Sequence, residues 1–207
     1  MRRTLSFILV VLLSTSAFSS SFMPLVRHYS VKDYQADNQN WSVTQGHNGV
    51  MYFGNSGGLL SYDGYQWKLT KVAGGQIVRS VFADGQRIYI GSFEEFGYFD
   101  SDIYGQLKYH SISKKLKNYQ MRNDEIWKIV KVGNSICFQS FSSCFCYDGK
   151  TVKAYRDKYY GPLFLFSCFG KMYVQLINSG FSIFNGHSYR VIIQRSQLNN
   201  SDVVAVC

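Results

Sequence analysis

The sequence predicts an all-β protein: a β-propeller of about four four-stranded blades, plus the first strand of a fifth, in an incomplete ring. Three observations lead to this prediction. Two apolar strands followed by an Asp-Gly or Asn-Gly turn occur repeatedly along the chain. Sixteen Tyr, sixteen Phe and eighteen Gly against two Pro are typical of short aromatic strands joined by tight turns. The copies also recur at about 40 to 45 residues, the length of a propeller blade.

The repeated unit is clearest in MYFGNSGGLLSYDGYQW, where two strands lead into an Asp-Gly turn. Four segments share this pattern, and they are 51–67, 87–100, 136–152 and 172–189. One position in the second strand is equivalent in all of them, and its occupants are Tyr52, Tyr89, Cys137 and Tyr173. Asp-Gly and Asn-Gly pairs supply the positive φ that a tight hairpin needs. Each copy therefore predicts one blade.

A first strand is expected before each copy, at 41–43, 77–81, 126–130 and 163–166. The longest gap between copies holds a lysine-rich stretch, 108–122, which predicts a long outer loop. Residues 202–206 predict the first strand of a fifth blade, without its second and third strands before Cys207. An open ring leaves unpaired strand edges. We therefore expect the N-terminal piece of a longer product, with a closed four-bladed ring as the alternative.

The N-terminal residues predict a secretory signal peptide at 1–21, so that 22–207 form the propeller domain. Two arginines precede an apolar run, Leu5 to Leu13, and small residues follow it. The run is too short to cross a bilayer comfortably, and an uncleaved signal anchor is the alternative. We therefore expect a periplasmic protein with no membrane span in its mature chain.

The five cysteines are an odd number, which leaves at least one unpaired in an oxidising compartment. Cys137 and Cys146 come opposite one another if the hairpin turns near Phe141. A disulfide between them stays open, although the spacing of neighbouring strands is often wrong for one. Cys144 and Cys146 share a strand face, but no His or carboxylate cluster accompanies them. We expect core residues there, and no metal site.

Just over half of the net charge of +9 lies between residues 108 and 131, which hold seven Lys and Arg against one Asp and one Glu. A basic patch suits acidic sugars, a lipid surface or nucleic acid, and an exported chain makes nucleic acid the least expected partner. The alternative, which the sequence favours, is a solvated loop whose charge opposes aggregation.

Motifs for catalysis are missing from the sequence. Glu94 and Glu95 are the one conspicuous carboxylate pair, but neighbours on a strand point to opposite faces. The four histidines have no metal-ligand spacing, and neither a nucleophile elbow nor a phosphate-binding loop occurs. We therefore predict no catalytic residue, no metal and no cofactor.

The run QNWSVTQGHNGVMYFGNSGGLLSYDGYQW, followed by 77–99, resembles the opening of the two-component regulator propeller proteins of Bacteroidetes. The resemblance covers about residues 25–206 and is strongest over the first two repeats. Later repeats depart from the family pattern, since Gln139 and Gln175 replace Gly. The residues that match the family repeat are Gly54-Asn55, Gly58-Leu59 and Tyr62-Asp63-Gly64.

The resemblance implies a non-catalytic periplasmic sensor region of a hybrid two-component or helix-turn-helix regulator. It also implies an oligosaccharide ligand and a homodimer formed through the propeller. The alternative is an exported propeller enzyme, a lyase or glycosidase, acting on polysaccharide. A sugar site needs aromatic faces for stacking and planar polar groups for hydroxyls, although aromatic residues also serve as packing between blades. The candidate ligand-binding residues are Arg79, Glu94, Glu95 and Trp127.

Overall fold

The computed structural model describes residues 24–72 and 76–205. The chain divides into two units, 1–30 and 31–207. In the first unit the described residues form neither helix nor strand, and the predicted signal peptide lies outside the described part. The second unit begins with a single helical turn, Val31–Tyr34. Within the described part, no helix combines the length and the apolar character needed to span a bilayer.

The second unit contains four antiparallel sheets of four strands, which confirms the all-β prediction. Each sheet is made from one continuous stretch of chain, and strands adjacent in sequence are adjacent in the sheet. The strands of the first two sheets are β1 Asn40–Gln45, β2 Met51–Asn55, β3 Gly58–Tyr62, β4 Trp67–Thr70, β5 Ser80–Asp84, β6 Arg87–Gly91, β7 Phe96–Ser101 and β8 Leu107–Ser111. Those of the third and fourth are β9 Lys128–Val132, β10 Ser135–Gln139, β11 Cys144–Tyr147, β12 Val152–Tyr155, β13 Pro162–Cys168, β14 Lys171–Leu176, β15 Phe181–Phe184 and β16 Tyr189–Ile193.

The first strand of each sheet lies against the first strand of the next. β1 contacts β5, β5 contacts β9, and β9 contacts β13. The sheets are therefore blades whose innermost strands stand side by side around an axis. Among the described strands, no comparably close contact joins β13 to β1. The four blades thus form an arc that is open between the fourth and the first.

Apolar clusters fill the spaces between consecutive blades, and the central strands contribute to both sides. Ile88 and Ile90 of β6 lie in the cluster shared with the first blade, whereas Tyr89 lies in the cluster shared with the third. Successive side chains of a strand point to opposite faces, so a strand covered on both faces is apolar throughout. Between the second and third blades, the ring centroids of Phe96 and Phe138 lie 4.5 Å apart. Burying one such side chain contributes about 1.5–3 kcal/mol.

Three outer hairpins use the same turn, as the Asp-Gly and Asn-Gly pairs predict. In each, the side-chain Oδ1 of the first residue accepts hydrogen bonds from the backbone N–H groups two and three residues later. The following glycine has a φ of 95° to 97°. The bond from Gln66 N–H is the main cause that lowers the pKa of Asp63. The bond from Thr151 N–H is the main cause that lowers the pKa of Asp148 to about 2. The pairs are Asp63-Gly64, Asp148-Gly149 and Asn185-Gly186.

Two inner strands begin later than predicted. β5 begins at Ser80 and β9 at Lys128, because the residues before them bond to the preceding blade. Val78 N–H donates to Asn55 O at 3.1 Å, and Ile126 N–H donates to Ser92 O at 3.0 Å. These apolar residues belong to the connections between blades.

The prediction of a loop over 108–122 is wrong at its start, since β8 occupies Leu107–Ser111. Leu107 and Tyr109 pack against the apolar cluster between the first and second blades, while Lys108 between them is exposed. An outermost strand shows one face to solvent, so its lysine made a strand resemble a loop. The remainder of the segment contains a 3₁₀ turn at Ser113–Lys115 and otherwise forms no helix or strand.

Cys137 and Cys146, directly opposite one another in β10 and β11, form a disulfide with a Cα–Cα distance of 4.1 Å. The sequence left this pairing open. Cys144 is a free, buried thiol in the cluster between the third and fourth blades, and burial raises its pKa to about 12. Cys168 is also free, and Cys207 lies outside the described residues.

Residues 201–205, where most of a fifth-blade strand was predicted, form no strand, and Val206 lies outside the described part. The segment is held against the fourth blade, because Val203 N–H donates to Gln175 Oε1 at 3.2 Å. A strand is defined by hydrogen bonds to a neighbouring strand. No described strand pairs with this segment.

Candidate ligand-binding surface

One position at the start of the innermost strand is equivalent in all four blades. In the first blade, Ser42 of β1 pairs with Gly54 near the end of β2, and the residue before Ser42 is Trp41. The same definition gives one residue in each of the other blades. Because the innermost strands stand side by side, equivalent residues come to the same end of the axis. The four occupants are Trp41, Arg79, Trp127 and Leu163.

The first three of these residues are in contact, although they come from three different blades. The Cζ atom of Arg79 lies 3.8 Å from the ring centroid of Trp41 and 5.0 Å from that of Trp127. The two indole rings are 5.9 Å apart and nearly perpendicular. Arg79 Nε donates to Glu125 Oε1 at 2.5 Å. We call Trp41, Arg79, Glu125 and Trp127 the axial cluster.

The guanidinium of Arg79 is held firmly but is not fully used. Its side chain is 15% exposed and that of Glu125 is 26% exposed. Each cation–π contact contributes about 0.5–2 kcal/mol and fixes the plane of the group. The buried Nη1 atom of Arg79 has no hydrogen-bond partner among the described residues. Leaving such a donor unpaired costs about 1–3 kcal/mol.

An aromatic pocket continues from Trp127. Phe141, in the turn between β10 and β11, is 46% exposed, and its ring lies 5.8 Å from that of Trp127. A cavity of about 320 Å³ begins at these two rings and extends between the third and fourth blades. We call it the axial pocket, and its lining includes Trp127, Gln139, Phe141, Phe164 and Phe166.

Phe141 also lines a wider cleft of about 530 Å³ between the connections 118–124 and 156–161. Buried Asp124 organises the first of these connections. Its carboxylate accepts hydrogen bonds from Ser140 Oγ at 2.6 Å and from Tyr119 OH at 3.0 Å. Bonds of this kind hold a surface segment in one geometry before a ligand arrives.

The third tryptophan lies elsewhere. Trp67 packs at the outer edge of the first blade against the rings of Tyr34, Phe53 and Tyr62, at 4.5 to 5.6 Å. This is the ordinary packing use of an aromatic residue, and Trp67 is a natural control for Trp127.

Glu94 and Glu95 do not join the axial cluster. Glu95 Oε1 accepts hydrogen bonds from three hydroxyl groups, of Tyr109, Ser111 and Ser113, at 2.8 to 2.9 Å. Burial, followed by the neighbouring Glu95, raises the pKa of Tyr109. Exposed Glu94 accepts a bond from Asn123 N–H at 2.7 Å.

The two carboxylates therefore fasten the second blade and the connection that follows it. Of the four predicted ligand-binding residues, the structure brings together Arg79 and Trp127. Ligand contact by any of the four remains a prediction. Within the described chain, no group of three or more His, Cys, Asp and Glu side chains is arranged to hold a metal.

Sequence reasoning did not select Trp41 or Glu125. Trp41 has the same place at the start of an innermost strand as Arg79 and Trp127. That shared position was the available signal. Glu125 carries no such signal, because it is brought to Arg79 by the connection from the second to the third blade.

No protein-family model matches the chain, and no curated protein matches it in sequence. Two solved structures of the extracellular domain of BT4673 from B. thetaiotaomicron resemble it. One is described as part of a one component system, with a TM-score of 0.57, 14% identity, and coverage of 74% of this chain and 21% of that one. The other is described as part of a hybrid two component system, with a TM-score of 0.57, 15% identity, and coverage of 76% and 22%.

A catalytically inactive virginiamycin B lyase from Staphylococcus aureus, in a structure with quinupristin, is also similar. Its TM-score is 0.52 at 11% identity, covering 73% of this chain and 54% of that one. The chain thus spans about a fifth of the length of the extracellular domains and about half of the lyase. At these identities the likeness shows the fold, which both a sensor domain and an enzyme share.

Proposed function

We propose that this protein is a non-catalytic, periplasmic sensory propeller that binds an oligosaccharide at the axial cluster, as the sensor region of a two-component-type regulator. The observation that carries the proposal is the convergence of Trp41, Arg79 and Trp127 from three blades beside an aromatic pocket. The fold likeness to the extracellular domains of BT4673 supports a sensory, exported role. The repeat pattern of residues 39–67 supports the same family.

The chemistry of the cluster suits a sugar. Trp127 and Phe141 offer apolar rings for the C–H face of a pyranose, and the 15% exposed side chain of Arg79 offers a charged donor for a hydroxyl oxygen. Because Trp41 and Glu125 already hold the guanidinium, little conformational entropy remains to be lost on binding.

An exported lyase or glycosidase is the competing function, and the fold likeness to virginiamycin B lyase is the observation that favours it. Glycosidases typically need two carboxylates about 5–10 Å apart across the scissile bond. In the axial cluster the carboxylate of Glu125 is paired with Arg79. We therefore expect the bound oligosaccharide to be recovered intact, which mass spectrometry after prolonged incubation measures directly.

Calorimetric titration of the purified protein with a panel of neutral oligosaccharides tests the site. Trp127→Ala should weaken the best binder at least about tenfold, because it removes the aromatic face. Trp67→Ala removes the same side chain at the edge of the first blade and should leave the dissociation constant within about twofold. Absence of binding across the panel, or equal weakening by both variants, would contradict the proposal.

Export and pairing are further parts of the proposal. Fractionation of cells should recover the protein in the periplasm, with an N-terminus near residues 19–22, and recovery in the cytoplasm would contradict export.

Light scattering should show two copies associating through the propeller, and a monomer at all concentrations would contradict the homodimer.

A further inference from the structure

A groove of about 880 Å³ runs along the outer edge of the third blade. One wall is segment 114–119, which follows β8 of the second blade, and the other is segment 150–156, which contains β12. We call this the basic groove, because cationic side chains line it and carboxylates do not. Its cationic residues are Lys114, Lys115, Lys117, Lys150, Lys153 and Arg156.

The positive charges of the basic groove are not neutralised by neighbouring acids. Over residues 24–72 and 76–205, none of the six forms a salt bridge, and the chain's ion pairs lie elsewhere. The carboxylates nearest in sequence are Asp148 and Asp157, and each accepts backbone hydrogen bonds from its own turn. Like charges around a concavity repel one another and concentrate a positive potential inside it.

Protection of an edge strand does not account for this arrangement. Lysines on an outermost strand oppose pairing with another sheet. Of the six cationic residues, however, only Lys153 lies in β12. Lys114 and Lys115 belong to the 3₁₀ turn after β8, and Lys150 belongs to the turn before β12.

We propose that the basic groove binds an anionic oligosaccharide that carries carboxylate or sulfate groups on successive sugars. Lysine is a flexible point charge that accepts either group without a fixed paired geometry. The volume lies within the range of about 300–1,000 Å³ common for ligand sites. A concave wall suits an oligosaccharide better than a flat membrane surface.

The lining also offers apolar contacts for sugar rings. Val152 is buried, and Leu116, Ala154 and Tyr155 are half-buried between the charged side chains. Aromatic and aliphatic faces complement the C–H faces of sugars, while the surrounding cations complement their acidic groups. No residue is shared with the axial cluster or the axial pocket, so this site stands or fails separately from the proposed function.

Calorimetry with three hexasaccharides tests the basic groove: a sulfated one from heparin, oligogalacturonate, and neutral maltohexaose. At least one acidic hexasaccharide should bind at about 50 mM NaCl and weaken several-fold at about 300 mM, as screening requires, while maltohexaose should not bind in this groove. The double variant K150E/K153E should weaken acidic binding at least about tenfold. Its matched control is K68E/K171E, which makes the same charge change at exposed lysines of the first and fourth blades and should stay within about threefold.

A second variant, K114Q/K117Q, alters the opposite wall and should also weaken binding, with circular dichroism as the check on folding. Trp127→Ala should leave acidic binding unchanged, which separates this site from the axial cluster. Failure of both acidic probes to bind at low salt, or equal loss in the K68E/K171E control, overturns the proposal. Tighter association with phosphatidylglycerol vesicles or duplex DNA than with either hexasaccharide overturns it in favour of a membrane or nucleic acid.

Discussion

The first two blades and the last two differ in how each contacts the chain that follows it. The difference lies at one equivalent position near the end of the second strand. That position is glycine at 54 and 91 and glutamine at 139 and 175. A Cβ atom on Gly91 would collide with Ser80 Oγ and would lie 2.6 Å from Ile126 Cβ. In the first two blades, therefore, the neighbouring chain passes directly over the glycine.

In the last two blades a buried amide spans the same space. Gln139 is 1% exposed, and its Nε2 donates to Pro162 O at 3.1 Å and to Leu163 O at 3.0 Å, at the start of the next innermost strand. Gln175 Nε2 donates to Asp202 Oδ1, and Gln175 Oε1 accepts from Val203 N–H, each at 3.2 Å. The same position in the fold therefore accepts two residue types. Glycine allows the neighbouring chain to approach closely, and glutamine fills a wider gap with hydrogen bonds.

The largest expected effect comes from placing the glutamine of the last two blades at the glycine position of the second blade. Gly91→Gln should lower the free energy of unfolding by about 3 kcal/mol or more, because Ile126 and Ser80 occupy the space that the side chain needs. Urea unfolding measures the change, with exposed Lys171→Gln as the control. A Gly91→Gln variant as stable as the parent would show that the two junctions are interchangeable.

The third blade also differs from the others at the equivalent position in the second strand. The other three blades have tyrosine there, whereas the third has Cys137, which forms the disulfide with Cys146. Replacing Cys137 and Cys146 by serine should cost about 2.5 kcal/mol, since the bond restricts the unfolded chain over a short loop. Urea unfolding with and without a reductant measures this effect, and Cys168→Ser should leave stability unchanged. If the reductant does not alter the parent protein, the cross-strand bridge is absent in solution.

Removal of the Gln139 amide, which lies between the third and fourth blades, should have a somewhat smaller effect on stability. Gln139→Ala leaves the carbonyls of Pro162 and Leu163 without this donor and opens a small cavity, at a cost of about 2 kcal/mol. Gln45→Ala, which removes an exposed amide, should stay within about 0.5 kcal/mol. Equal stabilities of these two variants in thermal unfolding would refute a structural role for the buried amide.

The smallest effect concerns the hairpin turns of the third and fourth blades. The pKa of Asp148 is lower in the folded chain than its ordinary value of 3.8. Its ionised form therefore adds stability above about pH 4, and this contribution is lost as the pH falls towards about 2. Asp148→Asn should lack this dependence, and Asn185→Asp should acquire it. Thermal unfolding between about pH 2 and 6 tests both variants, and identical pH profiles for parent and Asp148→Asn would contradict the assignment.

The repeat period and the turn dipeptides were enough to predict four blades, because both are local properties of the chain. Strand boundaries were missed where residues such as Val78 and Ile126 bond to the preceding blade. The start of β8 was missed because an outermost strand carries lysine on its solvent face. The glutamines at 139 and 175 were interpreted as departures from the family repeat, and the structure shows them to be junction residues.

The candidate site was only partly accessible from the sequence. Arg79 and Trp127 were selected from their places near strand ends or blade junctions, but their contact with Trp41 depends on how blades pack. Adjacent Glu94 and Glu95 suggested a pair, whereas the fold assigns each its own structural partner. The lysines near 114 were interpreted as a solvated loop, since the groove appears only when the next blade supplies Lys150 and Lys153.

The most direct test of a sugar site made by three blades is a crystal structure of the protein with its tightest-binding neutral oligosaccharide. We expect a sugar ring packed against Trp127 or Phe141, a sugar oxygen within hydrogen-bonding distance of the Arg79 guanidinium, and every glycosidic bond intact. A sugar bound elsewhere with the axial cluster uncovered, or a cleaved product in the axial pocket, would contradict the assignment.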